Sequence, residues 1–283
     1  MASSKPDIFS YLDYRSFLKD AIERIQAESP VMTFRNFARL AGFSSPNFLQ
    51  QVIQRKRNLG SANTLATAKA FKLNRHETDF FQSLIGYDQA RDLDEKNHFY
   101  QKIAKNKRYS TVKTLDKSQF EAFSHWFIPV VRELVTHKDY NGSDAWIADR
   151  ISPSITATQV AHALETLERL GLIAKNAATG KWNPTEMVIS TDSEVADLAF
   201  RNYHMAAIQL AHRAVKNIPS RARDIRSVTI GLPKGAYLEL KSRLEAVWKD
   251  LLSFAGQYRE SEIVYQVNMQ VFPLTREGKQ PRA

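Results

Sequence analysis

The sequence contains no cysteine in 283 residues. Disulfides and thiolate metal sites are therefore excluded, which fits a reducing cytoplasm, the expected location. No glycine-rich phosphate loop and no nucleophile elbow is present. No uncharged apolar run reaches the length of a membrane span, and the N-terminus "MASSKPDIFSYLDYRSFL" lacks the charged-then-apolar order of a secretory signal. The seven histidines (His76, His98, His125, His137, His162, His204 and His212) form no H-E-x-x-H pair. His204 and His212 can share one helical face, but no nearby acid or cysteine completes a metal site. These absences lead to the expectation of a non-enzymatic protein with no cofactor, no metal and no membrane partner.

Acid is missing from one long stretch. Ser29 to His76 holds eight cations (Arg35, Arg39, Arg55, Lys56, Arg57, Lys69, Lys72 and Arg75) and no Asp or Glu. Asn141 to Ser190 holds four cations and five acids. The formal charge of +10 is thus concentrated, as a polyanion-binding face would have it. With 43% hydrophobic, 11% aromatic and 25% charged residues the chain reads as soluble and globular, long enough for two or three domains.

Periodicity and caps predict five helices within residues 8–88. "YLDYRSFLKDAIERIQAE" carries Leu12, Phe17, Leu18, Ile22 and Ile25 near helical spacing and stops at Ser29-Pro30. Thr33 caps "FRNFARLAG", with Gly42 as its stop. Ser45-Pro46 starts a helix running to about Gln54, Ser61 opens a fourth, and Asn74 with Glu77 forms a capping box for a fifth. Residues 89–117 are polar and lysine-rich and read as a connector. Residues 118–190 hold an apolar helix with Pro129 inside it, a helix capped by Ser143, "TATQVAHALETLERLG", and a hairpin over "LIAKNAATGKWNPTEMVI". Residues 191–283 read as a long helix followed by strand ("SVTIGLP"), amphipathic helix and strand ("IVYQVNMQVFPL"), a small α/β layer that could dimerise or take a partner or ligand.

The stretch "TFRNFARLAGFSSPNFLQQVIQRKR" is two short helices joined by a turn. Phe37, Leu40, Leu49, Val52 and Ile53 can face inward, which leaves Asn47, Gln50, Gln51 and Gln54 outward. Asn and Gln amides pair bidentately with adenine, and helix-borne cations anchor phosphates. The base-contact candidates are Ser44, Ser45, Asn47, Gln50, Gln51 and Gln54. The phosphate-contact candidates are Arg35, Arg39, Arg55, Lys56 and Arg57. Three further cations, Arg221, Arg223 and Arg226 in "SRARDIRS", are weak candidates for an anionic effector, a solvated loop being the alternative.

On Ala38, Gly42 and "SSPNFLQQVIQRKR", residues 33–81 resemble the lambda-repressor-like helix-turn-helix family. The resemblance implies a five-helix DNA-binding domain. The turn is one residue longer than the common spacing, Pro46 being the extra residue, so carried-over base contacts can shift by one position. "DAWIADRIS", "TATQVAHALETLERLGLI" and the hairpin resemble a winged helix-turn-helix. Its second helix presents Thr158, Gln159, His162, Glu165 and Thr166, with Glu168 and Arg169 beyond, and its hairpin offers only Lys175 and Lys181. Carboxylates there oppose phosphate, so dimerisation or partner binding competes with DNA contact for this module. The whole chain is similar to predicted bacterial regulators that join an N-terminal helix-turn-helix to a C-terminal region of unknown function.

The expectation is a mainly α protein: a five-helix helix-turn-helix domain (1–88), a connector (89–117), a winged-helix-like module (118–190), and a helix plus β-α-β region (191–283). Its partners would be double-stranded DNA and a second copy, with a protein partner or small effector at the C-terminal region. The alternative is a non-enzymatic adaptor that uses the same folds to dock a signalling protein.

Overall fold

The chain is mainly α, with a single two-stranded antiparallel sheet among the described residues. The computed structural model describes residues 6–177, 180–185, 194–233, 235–258 and 262–275, without the side chains of 114–117. Two compact units divide the chain, Met1–Lys117 and Ser118–Ala283.

Among its described residues unit 1 holds seven α-helices whose ends follow local chemistry. α1 (Tyr14–Glu28) starts where the Asp13 carboxylate accepts from Arg15 N at 2.9 Å. α2 (Phe34–Ala41) starts at Thr33, whose hydroxyl accepts from Asn36 N. α3 (Phe48–Ile53) is short, and α4 (Ser61–Ala70) follows it. α5 (Arg75–Asp88) has the expected capping box, Asn74 and Glu77 each bonding the other's backbone N–H. α6 (Leu93–Ala104) and α7 (Lys107–Val112) occupy the stretch whose polarity suggested a connector, and they bury Tyr100, Ile103 and Tyr109. Two tyrosines and one isoleucine spaced among lysines supply that face, too few to register as a periodic stripe.

The core of unit 1 is aromatic. Phe37 packs on Phe71 at 4.6 Å between ring centroids, and Phe17 meets both Phe71 and Phe81. At least one of these rings comes from each of α1, α2 and α5, so the helices are tied at one centre. α5 and α6 approach closely at Gly86: a Cβ there would lie 2.3 Å from the Phe99 ring.

In unit 2, α8 (Thr114–Ser124, which straddles the boundary between the units), α9 (Phe127–Leu134), α10 (Asp144–Ala148) and α11 (Ala157–Arg169) precede the hairpin. Pro129 stands in the first turn of α9, where its missing N–H costs nothing, and the single helix expected around it is broken just before it, between Ser124 and Phe127. β1 (Ile173–Lys175) pairs with β2 (Trp182–Pro184), Ile173 opposite Pro184 and Lys175 opposite Trp182. The hairpin tip at 178–179 and the far end of the expected second strand, 186–190, lie outside the described residues. Val160, Leu164, Leu167 and Leu170 all enter one core with Ile128, Val131 and Ile147, as the stripe on α11 predicts.

α12 (Glu194–Asn217) and α13 (Ala236–Ala255) complete the chain. α13 is the helix of the expected β-α-β layer. The segments flanking it, 227–232 and 262–272, form no ladder among the described residues. Their apolar alternation is that of a strand, but a strand exists only by hydrogen bonds to a neighbour.

Candidate nucleic-acid interface

The candidate face is the α2–α3 pair and the loop after it. Gly42 adopts φ 72°, and Phe43 N donates to Ala38 O at 2.8 Å, which ends α2 sharply. The proline start signal acts differently from its sequence reading. Pro46 precedes α3: Phe48 N donates to Ser45 O at 3.1 Å, which places Pro46 second in a four-residue turn. That position suits its fixed φ. α3 therefore begins at Phe48, two residues later than expected, with Asn47 as an N-cap whose side chain makes no capping bond.

Phe48, Leu49 and Val52 are buried, and Ile53 is half-buried. Leu40, expected inward, is 61% exposed; it lies at the end of α2, past the crossing made by the buried Phe37 and Ala38. Ser44, Asn47 and Gln54 are exposed, while Ser45, Gln50 and Gln51 are half-buried. Gln51 points partly inward: its Oε1 is buried and has no hydrogen-bond partner among the described residues. Of the six base-contact candidates, Asn47, Gln50 and Gln54 keep an amide on the open side of α3.

Arg35, Arg39, Arg55, Lys56 and Arg57 are all exposed. They are not equivalent. Arg55, at φ 60°, pairs with Asp13 at 2.9 Å and Asp88 at 3.2 Å. Arg57 lies over the Phe48 ring, 5.9 Å from its centroid. Among the described residues Arg35, Arg39, Lys56 and Arg57 are in no recorded ion pair.

Arg15 organises this loop, and nothing in the sequence marks it. Its guanidinium is buried, 6% exposed, and donates to Val52 O, Arg57 O, Asn58 Oδ1 and Asp88 Oδ2 at 2.6 to 3.0 Å. A carbonyl from the last turn of α3 and one from the following loop are thus satisfied by one side chain from α1. The Arg15–Asp88–Arg55–Asp13 chain fixes where residues 54–58 leave the helix.

In unit 2, α11 presents Thr158, Gln159, His162, Glu165 and Glu168 outward. Thr166, expected outward, is fully buried, because it falls beside Ala163 and Leu167 on the core stripe. Arg169 is paired with Glu121 at 3.0 Å, and Gln159 is held in the capping box of Thr156. Lys175 sits over the Trp182 ring, 5.1 Å from its centroid. His125 is held below its ordinary pKa, first by desolvation and then by the charge of His162.

Arg221, Arg223 and Arg226 do not converge. Arg223 Nη1 donates to the carbonyls of Ala214, Val215 and Ile218 and so caps the C-terminus of α12. Arg226 forms a two-pronged pair with Asp224, and Arg221 is exposed. Two of the three candidate anion ligands are occupied within the chain. No group of three or more His, Asp or Glu able to hold a metal occurs among the described residues, and none of their helices is long and apolar enough to cross a membrane.

A family model described as a domain of unknown function (DUF4423) matches residues 106–274, more than half of the chain, and the chain belongs to that family. No curated protein and no solved structure matches it.

Proposed function

We propose that this family member is a DNA-binding transcriptional regulator that works as a dimer, with α2, α3 and the 54–58 loop as its DNA-reading face. The observation that carries the reading is a charge arrangement. The open amides of Asn47, Gln50 and Gln54 are accompanied by Arg35, Arg39, Lys56 and Arg57, drawn from a stretch with no acid. The α2–turn–α3 order and its resemblance to the lambda-repressor-like family support it. In this reading the amides address base edges, where Asn and Gln match adenine, and the four cations bind phosphates. Arg55 has a different role: tied to Asp13 and Asp88, it holds the loop in place. A short helix covers few base pairs, so two copies on two half-sites supply the remaining specificity.

Selection from a random duplex pool, followed by salt titration of the selected site, tests this. Gln50→Ala changes the preferred sequence. Lys56→Ala and Arg57→Ala weaken binding to every sequence, each lowering the salt slope by about one. Absence of any duplex binding at low salt overturns the reading. A second reading, docking of a protein partner, is favoured for α11 alone, where Glu165 and Glu168 are exposed and Arg169 is neutralised by Glu121.

A further inference from the structure

The C-terminal stretch carries an apolar surface that its own chain leaves open. Of the 27 exposed large hydrophobic side chains among the described residues, 23 lie between Met205 and Leu274. α13 has no buried residue at all, although Tyr237, Leu240, Leu244, Val247, Leu251 and Phe254 repeat at alternating steps of three and four, one continuous stripe. A stripe of this kind forms a stable helix by packing, not by propensity.

Segment 263–271 has the complementary defect. One of its faces is already seated: Tyr203 Oη donates to Gln266 Oε1 at 3.1 Å, Asn268 Nδ2 donates to Ala207 O at 2.9 Å, and Val264 packs on the unit 2 core. The other face, Ile263, Tyr265, Val267, Met269 and Val271, is apolar and exposed, Tyr265 by 75%. Val228, Ile230 and Leu232 repeat the pattern, Val228 at 80% exposure. Among the described residues neither 224–235 nor 262–275 makes a ladder.

We infer that a second copy of this chain covers this surface by exchange, the α13 stripe of each copy lying on the 263–271 face of the other, with 227–232 adding its edge. The chain itself supplies both halves of the match, an apolar helix and an apolar strand face, each without its complement. Two-fold symmetry joins them twice over, and exchange of identical elements is a common route to dimers. The extent fits. At roughly 90 Å² of exposed area for each large side chain, the twelve exposed residues of the α13 stripe, the 263–271 face and 227–232 offer on the order of 1,100 Å² per copy, against about 800 Å² per partner in a standard interface. So apolar a surface is characteristic of homodimers, whose interfaces resemble a core cut in two. This inference deepens the dimer half of the proposed function and is independent of its DNA half.

Sedimentation velocity at about 10 μM without DNA, combined with hydrogen exchange, provides the test; both are read on the full chain. The expected species has twice the 32.3 kDa chain mass, with slow exchange at 227–232 and 263–271. Val247→Lys with Leu251→Lys, and separately Val267→Lys, should each give a monomer with fast exchange there, while the helices of unit 1 keep their protection as the control for folding. A wild-type monomer overturns the inference, whether its C-terminal amides are protected by its own chain or unprotected. So does a dimer that survives both sets of substitutions. A dimer that binds no DNA sinks only the DNA reading; a monomer that binds DNA sinks the exchange and the dimer half of the proposed function and leaves its DNA half standing.

Discussion

Unit 1 and the stretch from 194 onward draw on similar residues and end in opposite states. In unit 1, Phe17, Phe37, Phe71 and Phe81 meet at one centre, and only Val31, Leu40, Leu65 and Val112 are large hydrophobics left exposed among its described residues. In the C-terminal stretch, Trp248, Phe254, Tyr258, Tyr265 and Phe272 are all exposed. The difference lies in whether matching surfaces meet, not in their distance along the chain: Phe17 reaches Phe71 and Phe81 from the other end of unit 1, while α13 and 263–271 are neighbours in sequence. A helix and two strand-like segments close only if their faces meet, and within one chain these do not.

The sharpest way to break the comparison is to remove an aromatic ring from each side. Phe37→Ala should destabilise unit 1 by about 3–5 kcal/mol, the usual range for a large buried aromatic, read as a lowered midpoint in urea unfolding. Trp248→Ala should leave that transition in place, because Trp248 belongs to unit 2 and is exposed on α13. If both substitutions shift it alike, the two regions do not differ as described.

Arg15→Met asks whether polar closure matters as much as aromatic closure. It removes the donor to two carbonyls and to Asp88, and breaking a buried pair typically costs about 3 kcal/mol. Fast hydrogen exchange confined to 52–58 would show the loop released. A variant as stable as the wild type would mean that the bonds around Arg15 are replaceable by water.

Asn74→Ala should cost about 1 kcal/mol through the capping box of α5, again measured by urea unfolding of unit 1. The smallest effect is in unit 2. His125 has a folded-state pKa below its ordinary 6.5, mainly from desolvation. Its neutral form is favoured by folding, so its contribution is fully present above 6.5 and is lost as pH falls through 6.5 toward the lower folded value. The ring retains some exposure, which keeps the effect small. Thermal unfolding at about pH 7.5 and about pH 5.5 should show a fall at the lower pH that His125→Asn reduces; an unchanged slope counts against the shift.

Much of unit 1 was legible. Thr33, Gly42, Asn74 and Phe17, Leu18 and Ile22 of α1 act as their spacing indicates, as does the apolar stripe of α11 in unit 2, because caps and stripes are set by residues within a few positions of one another. Pro46 shows the limit of that logic. Serine followed by proline is equally a helix start or a turn, and the burial of Phe48 decided for the turn. Thr166 and Leu40 were misplaced for a related reason: each sits at the margin of an apolar stripe, where a rotation of about 100° per residue leaves two sides open.

The DNA-reading candidates divide along the same line. The acid-free run from Ser29 to His76 is a property of the sequence and places eight cations in unit 1. That Asp13 and Asp88, from outside the run, would reach Arg55 and make it a structural cation was decided by the packing of α1 against both α3 and α5. The same holds for Arg15, which the sequence presents as one more polar residue near the start of α1. Sequence determined the caps of α2 and α5, the apolar stripe of α11 and the overall charge, since these depend on neighbours along the chain. Tertiary structure decided which cations remain unpaired, which amides stay open, and that the apolar C-terminal surface has no cover within its own unit. Those outcomes depend on residues far apart in sequence, whose meeting no local pattern encodes.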